Sequence, residues 1–421
     1  KMCLRDSFTM EGYNKKVIMS YWTICRMKTT KKIYVKVSII FLLGGILLFS
    51  SCEKEENQKI EANRKTLFMY LPWSSNLTNY FYNNISDLEK CITKIGLNNE
   101  KVIVFISTGS TEAMMFEIVS SHGRCKREIL KKYKSPPFTT IDGITAILND
   151  VKAFAPASVY TMIIGCHGMG WLPVYEMKVR SAPHMKMHWE YQGVPLTRYF
   201  GGLTAEYQTD IKSLASGIAN AGMKMEYILF DDCYMSSIEV AYELKDVTKY
   251  LIGSTSEMMA YGMPYAAIGE YLLGNPDYQS GCEEFYNFYS TYEIMPCGTL
   301  AVTDCSELEN MAAIIKSINS KYSFDKSLRG TIQRLDGYTP VIFYDFADYI
   351  TSLCNDPILL NQFREQLNHL VPYKTHTKNF YTMAKGIIPI NTFSGITTSD
   401  PSDNPMTVLK ENTLWYKAAH N

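Results

Sequence analysis

Short apolar runs of strand length alternate with longer stretches of helical spacing along most of the chain. Runs rich in β-branched and aromatic residues predict buried strands at residues 66–71, 101–107, 159–164 and 227–230. Helical spacing marks residues 141–154 and an apolar face formed by Ile211, Leu214, Ala215 and Ile218. Because strands and helices alternate, the pattern predicts an α/β fold with a mostly parallel, doubly wound sheet and right-handed crossovers.

The remaining segments add less regular elements. Residues 114–119 and Tyr133 predict a hairpin at the edge of the sheet, and Ser86-Asp87-Leu88-Glu89 has the pattern of a helix cap. Beyond about residue 274 the pattern predicts strands at 299–303, 340–344 and 393–397, and helices at 307–318 and 357–370. We therefore expect a regular α/β part followed by a smaller α+β part.

A cysteine closely follows one of the predicted strands. Residues 227–230 are followed by Asp231, Asp232 and Cys233, and Ser236-Ser237-Ile238-Glu239 then has the pattern of a capping box. Ligands bind at this edge of open α/β sheets, and the start of a helix favours the thiolate form of cysteine. A buried structural cysteine is the alternative interpretation.

A second strand ends in an imidazole. Residues 159–164 lead into Gly165-Cys166-His167-Gly168, followed by Met169-Gly170-Trp171. If the two strands are parallel neighbours, His167 and Cys233 lie at the same edge of the sheet. The flanking glycines would let a substrate backbone approach closely.

These motifs together resemble the clostripain-like cysteine peptidases. The resemblance is carried by HGMGW, FDDCYMSSIEVAYEL, YLIGS at residues 250–254 and YGMPY at residues 261–265, and it extends from about residue 66 to the C-terminal end. It implies a caspase-like three-layer sandwich, with a mostly parallel central sheet and helices on both faces. The expected catalytic domain is then residues 66–275, and the C-terminal α+β subdomain packed on it is residues 276–421.

The resemblance also implies a mechanism. Cys233 would be the nucleophile, His167 would protonate the leaving amine, and the backbone N–H groups of Gly168 and Cys233 would form the oxyanion hole. Cys166 is the rival thiol, but neighbours on a strand point to opposite faces, so we expect it to pack in the core. No cofactor is required by this chemistry, although the resemblance allows for calcium, and the cysteine spacings indicate neither a zinc site nor a disulfide scaffold.

Substrate specificity is predicted from two acidic residues. Asp231 lies two residues before Cys233, at a position that clostripain-like enzymes use to favour Arg or Lys at P1. Alternate strand residues share a face, so its carboxylate would line the S1 pocket, with Glu257 as a second, weaker candidate. Asp231 would otherwise be a structural aspartate that caps local N–H groups. Asp232 faces the other way and is predicted to be structural.

The N-terminal part predicts a lipoprotein leader. Met27 is followed by four lysines, Lys28, Lys31, Lys32 and Lys36, and residues 37–49 form an apolar run that is short for a transmembrane helix. The run ends at Ser50-Ser51-Cys52, which resembles a lipobox with lipidation of Cys52. An ordinary signal peptide or signal anchor is the alternative. Residues 1–51 would be an upstream extension and signal peptide, and residues 52–65 a tether.

The balance of charged residues limits the kinds of binding partner that we expect. The 42 basic and 42 acidic residues balance, which gives no indication of nucleic-acid binding. We expect a monomeric endopeptidase that acts on proteins or peptides, anchored by lipid to the outer membrane of a bacterial cell and exposed at its surface. The alternative is a catalytically silent surface lipoprotein that binds peptide or glycan. Residues 177–202 carry Lys178, Arg180, Lys186 and Arg198 and predict a long exposed loop. The resemblance implies that the enzyme could cut itself there, and a loop that only binds substrate is the alternative.

Overall fold

The computed structural model describes residues 63–74, 77–174, 194 and 207–420. Residues 62–421 form one compact unit. The strands in the described part are β1 (Asn63–Leu71), β2 (Glu100–Ser107), β3 (Glu112–Ser121), β4 (Arg124–Lys134), β5 (Ala157–Ile164), β6 (Met225–Phe230), β7 (Thr248–Gly253), β8 (Thr299–Asp304), β9 (Tyr344–Asp345), β10 (Tyr373–His376), β11 (Asn379–Thr382), β12 (Gly386–Pro389) and β13 (Thr397–Thr398). The α-helices described are α1 (Thr78–Ile95), α2 (Ile141–Phe154), α3 (Ile211–Asn220), α4 (Ile238–Leu244), α5 (Tyr265–Leu272), α6 (Tyr278–Ser290), α7 (Leu308–Asn319), α8 (Phe346–Leu353), α9 (Pro357–Leu370) and α10 (Leu414–His420).

Nine strands form one sheet in the order β10-β8-β7-β6-β5-β1-β2-β3-β4. The central strands β2, β1, β5, β6 and β7 run parallel, which confirms the mostly parallel sheet, although β7 was not among the predicted strands. Antiparallel strands close both edges, with the β3–β4 hairpin on one side and β8 and β10 on the other. One group of packed helices contains α1, α5 and α6, and another contains α2, α3, α4, α7 and α10. The fold is therefore α/β, with helices on both faces of a mostly parallel sheet.

Two helices have the predicted bounds because their caps are local. The Thr140 side chain accepts a hydrogen bond from Gly143 N at the start of α2, and the predicted 141–154 is the observed range. Asp356 accepts from Ile358 N and Leu359 N at the start of α9, which begins with a proline. In both helices the cap and the apolar spacing give the same boundary.

Three predicted boundaries are wrong. Helix α1 begins at Thr78, so Ser86 lies inside it and donates its hydroxyl hydrogen bond to Tyr82 O (2.9 Å) instead of capping. The predicted strand at 340–344 is reduced to its last residue and Asp345, because a side-chain carboxylate binds the N–H groups of Ile342 and Phe343. The strand predicted at 393–397 likewise begins only at its final residue.

Two of the predicted domain boundaries do not coincide with an end of the central sheet. Strand β1 starts at Asn63, inside the segment 52–65 that was predicted to be a tether. The boundary between residues 275 and 276 falls between α5 and α6, yet β8 and β10 beyond it extend the central sheet. The leader, Cys52 and all of the loop 177–202 except Val194 lie outside the described residues. In the described ranges, no helix has the length and apolarity needed to cross a membrane.

Candidate active site

The pairing of β5 with β6 brings the two predicted catalytic residues to one edge of the sheet. Ile164 pairs with Phe230 in parallel register, and Asp231 N donates to Ile164 O (2.8 Å). His167 and Cys233 each follow this pair by three residues. Both therefore lie just beyond the carboxyl ends of adjacent parallel strands, as the sequence predicts.

The backbone at Gly168 contacts the backbone at Cys233. A Cβ atom added to Gly168 would lie 2.0 Å from Cys233 O and 2.9 Å from Cys233 N. Since such distances are far inside van der Waals contact, a residue with a side chain would force these segments apart. The two predicted oxyanion donors are therefore backbone neighbours.

The Cys233 thiol is buried and held by the loop that follows β7. Met258 N donates a hydrogen bond to Cys233 Sγ (3.1 Å), and the sulfur also lies 3.7 Å from Met258 O. An N–H group directed at sulfur interacts most strongly when the sulfur is negatively charged. This contact was not predicted from the sequence, because it depends on how a loop 25 residues away folds back.

Tyr234, immediately after Cys233, has an unusual backbone conformation. Its φ angle is +62°, in the left-handed region that a tyrosine rarely adopts. Tyr234 N donates to Ser256 O (3.0 Å), and its hydroxyl donates to Glu257 Oε1 (2.8 Å). Burial raises the pKa of this hydroxyl well above its usual value, so it stays a donor. Nothing in the sequence pattern distinguished this tyrosine from a core residue.

Two buried carboxylates lie close to Cys233 in different ways. Asp231 precedes it in the chain, and Glu257 belongs to the loop after β7 that contacts its sulfur. Asp231 Oδ1 accepts from Met263 N (2.8 Å), and its Oδ2 accepts from the Tyr265 hydroxyl (2.9 Å). Glu257 accepts from the Tyr234 hydroxyl through Oε1 and from Met383 N (3.0 Å) through Oε2. Neutral donors therefore orient both candidate specificity residues.

Asp232 and Cys166 contact each other on the other side of this edge. Asp232 Oδ1 accepts from Cys166 N (2.6 Å), and its Oδ2 lies 3.4 Å from Cys166 Sγ. Cys166 is 1% exposed. The aspartate thus ties the end of β5 to the end of β6, which agrees with the structural role predicted for it and with the buried position predicted for Cys166.

The predicted capping box after Cys233 is only half correct. Ser237, rather than Ser236, caps α4 by accepting from Val240 N (3.3 Å). Glu239 does not return to the cap but accepts from Ser399 N (2.7 Å) and the Thr398 hydroxyl (3.0 Å). Burial, with a smaller contribution from Asp400, raises the pKa of Glu239 to about 7.

The described part of the chain contains no cluster of side chains typical of a metal site. No group of three or more His, Cys, Asp or Glu side chains is placed there to hold a metal ion. The allowance for calcium remains a prediction.

Comparison with known proteins identifies the family. The model of the clostripain family matches residues 69–388. The chain belongs to the clostripain family. It is similar to a solved secreted C11 cysteine protease from Bacteroides thetaiotaomicron, "iotapain", with 58% identity over 85% of this chain and 99% of that chain and a TM-score of 0.79.

Two further solved structures are similar to the chain, one in sequence and the other in fold alone. A clostripain from Bacteroides thetaiotaomicron in complex with the peptide inhibitor BTN-VLTK-AOMK is 65% identical over 53% of this chain and 99% of that chain, with a TM-score of 0.52. An inactive zymogen C11 protease from Parabacteroides distasonis, 24% identical over 85% of this chain and 98% of that chain, shares the fold with a TM-score of 0.70. Comparison with curated proteins gives no match. The protein is thus a clostripain-like cysteine peptidase with the caspase-like α/β fold.

Proposed function

We propose that Cys233 and His167 form a catalytic dyad that hydrolyses peptide bonds after Arg or Lys. The observation that carries the proposal is the β5–β6 register, which brings both residues to one sheet edge with Gly168 against the Cys233 backbone. A thiol nucleophile, an imidazole and two backbone N–H donors are the groups that acyl transfer needs.

The steps of hydrolysis follow from these groups. The Cys233 thiolate attacks the scissile carbonyl carbon, and the N–H groups of Gly168 and Cys233 donate to the oxygen that becomes negative. Protonated His167 gives its proton to the amine as the C–N bond breaks, which leaves a thioester. His167 then takes a proton from water as the water attacks the thioester, and the C–S bond breaks to release the acid and the thiolate.

Basic P1 specificity is supported by the two buried carboxylates. Asp231 lies two residues before Cys233 in the chain, and Glu257 directly precedes Met258, whose N–H group donates to the Cys233 sulfur. An arginine or lysine side chain at P1 that reaches these carboxylates would form charge-assisted hydrogen bonds with them. The peptide inhibitor bound to the 65% identical clostripain contains the sequence VLTK, which ends in lysine.

We also propose that the protein is anchored by lipid in the bacterial cell envelope. Residues 28–52 combine lysines, an apolar run and a lipobox-like Cys52, and a relative 58% identical is described as secreted. Expression of wild type and Cys52→Ala in a bacterial host, followed by membrane fractionation and mass spectrometry, tests this. Wild type should carry lipid on Cys52, and unmodified wild type in the soluble fraction would contradict the proposal.

Hydrolysis by matched cysteine variants tests the dyad. Cys233→Ala and His167→Ala should lose hydrolysis of Arg- and Lys-terminated peptide substrates while remaining folded at the assay temperature. Cys166→Ala is the control and should retain substantial activity. An active Cys233→Ala would refute the assignment. A folded wild type that binds peptides without cutting them would favour the catalytically silent alternative.

A further inference from the structure

The C-terminal part of the chain contacts the segments that follow both proposed catalytic residues. We propose that Tyr338 and Phe343, which we call the aromatic wedge, are positioning residues that fix Cys233 relative to His167. The inference rests on the proposed dyad. It assigns a role in the reaction to residues outside the HGMGW and DDCYM motifs.

Phe343 contacts both catalytic segments. Its ring stacks on Tyr234 with centroids 4.9 Å apart and an interplanar angle of 16°. A Cβ atom added to Gly170 would lie 2.8 Å from Phe343 Cε1 and 3.2 Å from Tyr234 O. Gly170 also has a φ angle of +60°, so glycine is favoured there by conformation as well as by space. One buried ring thus contacts both the residue after Cys233 and the loop after His167, at the place where these two segments meet.

Tyr338 makes the same pair of contacts from another direction. Its hydroxyl lies 3.2 Å from the sulfur of Met169, two residues after His167. Its ring centroid is 6.1 Å from that of Tyr234. Each member of the wedge therefore contacts one residue of the His167 loop and the residue that follows Cys233.

Asp336 holds the wedge in place. Its buried carboxylate accepts hydrogen bonds from Tyr338 N (2.7 Å), Ile342 N (2.8 Å) and Phe343 N (2.6 Å). Arg334 adds a hydrogen bond from Nε to Asp336 O (2.8 Å). One side chain thus fixes the backbone of both wedge residues, and these charge-assisted bonds are stronger than those between neutral groups.

The backbone of Tyr234 explains why the wedge would affect catalysis. A left-handed conformation is unfavourable for a residue with a Cβ atom, and such a conformation persists only where surrounding contacts enforce it. Without the stacked ring, Tyr234 could relax and move Cys233, to which it is joined. Displacement of a reacting group by about 1 Å can cost about 100-fold in rate.

Phe343→Leu and the matched control Phe346→Leu test the wedge in the full chain. Both phenylalanines are fully buried in the C-terminal part, but the Phe346 ring packs on Phe363 and Trp415. We would measure kcat and KM per folded enzyme well below the melting temperature, together with the rate of Cys233 alkylation by iodoacetamide. Phe343→Leu should lower kcat by about 10-fold or more and slow alkylation, with KM changed by less than about 3-fold.

The control defines what would overturn the inference. Phe346→Leu should lower the melting temperature but keep kcat and the alkylation rate within about 2-fold of wild type. If kcat and the alkylation rate are equal in Phe343→Leu and Phe346→Leu, Phe343 has only a structural role and the inference is refuted. If Phe343→Leu does not fold, Phe343→Met, whose unbranched and flexible side chain can fill the space differently but also lacks the ring, takes its place with the same outcomes.

Failure of the proposed function would be visible in wild type alone. It would appear as no peptide hydrolysis and as alkylation of Cys233 no faster than that of the other cysteines. That result would remove the reaction that the wedge is inferred to serve. An active wild type with an unaffected Phe343→Leu variant would reject only the wedge.

Discussion

Asp231 and Glu257 are the residues on which substrate choice depends in this account. Each carboxylate is buried and oriented by neutral donors, Tyr265 and Met263 N for Asp231, and Tyr234 and Met383 N for Glu257. Such preorganisation means that little rearrangement is needed when a cationic side chain enters.

Asp231→Asn should reduce kcat/KM for an Arg substrate by at least about 30-fold, roughly 2 kcal/mol, and much less for a substrate with neutral P1. The physical reason is that asparagine removes the charge from the hydrogen bonds to the guanidinium. Steady-state kinetics on the paired substrates give the comparison. Equal losses on both would assign Asp231 to structure alone, and Asp277→Asn, at an exposed helix cap, serves as the control.

Glu239 is a buried carboxyl group whose ionisation should affect stability. Its pKa is raised from 4.5 to about 7, first by burial and then by Asp400, while Lys410 lies in the same region and bonds to the Ser399 and Asp400 carbonyls. Glu239 Oε2 has no hydrogen-bond partner among the described residues. Because the folded state holds the proton more tightly, this group makes the free energy of unfolding fall as pH rises from about 4.5 to 7.

Glu239→Gln should therefore weaken this pH dependence. The free energy of unfolding of the variant, relative to wild type, should increase by roughly 3 kcal/mol between pH 4 and pH 8. Urea unfolding at the two pH values measures this difference. A constant difference across the range would show that Glu239 titrates normally in the folded protein.

At the scale of elements, local sequence signals predicted the bounds of helices better than they predicted the strands of the C-terminal part. Helices α2 and α9 have caps within their own sequence, so their bounds were predicted correctly. The strand expected at 340–344 fails because Asp336 takes two of its backbone N–H groups. A carboxylate that substitutes for a neighbouring strand leaves no periodic pattern in the sequence.

Removal of the α9 cap should have a local cost. Asp356→Ala should lower the free energy of unfolding by about 1 kcal/mol, because Ile358 N and Leu359 N lose their acceptor. Chemical denaturation measures the loss, and peptidase activity should be unchanged. Glu365→Ala, on the exposed face of the same helix, is the control and should change stability by less than about 0.5 kcal/mol.

At the scale of the whole molecule, the sequence predicted the parallel centre of the sheet and the β3–β4 hairpin at one edge, but not the pairing of β8 with β10 at the other edge. Apolar runs separated by helices predicted β1, β2, β5 and β6, whereas β7 was not predicted and β10 pairs with β8 only after a chain segment that contains three helices. The residues of the candidate site also divide into those that a local sequence pattern predicts and those that it does not. Cys233 and His167 could be found because both follow apolar runs, but the aromatic wedge depends on contacts between distant segments that no local pattern encodes.

The most direct test of the account is to locate the modified cysteine after reaction with a lysine-terminated peptidyl acyloxymethyl ketone. The intact protein would be treated and digested, and the labelled peptide would be sequenced by mass spectrometry. The account predicts one label on Cys233, abolished by Cys233→Ala and strongly reduced by His167→Ala and Asp231→Asn. A label on Cys166, or labelling of Cys233 that is unaffected by His167→Ala, would contradict the proposed dyad.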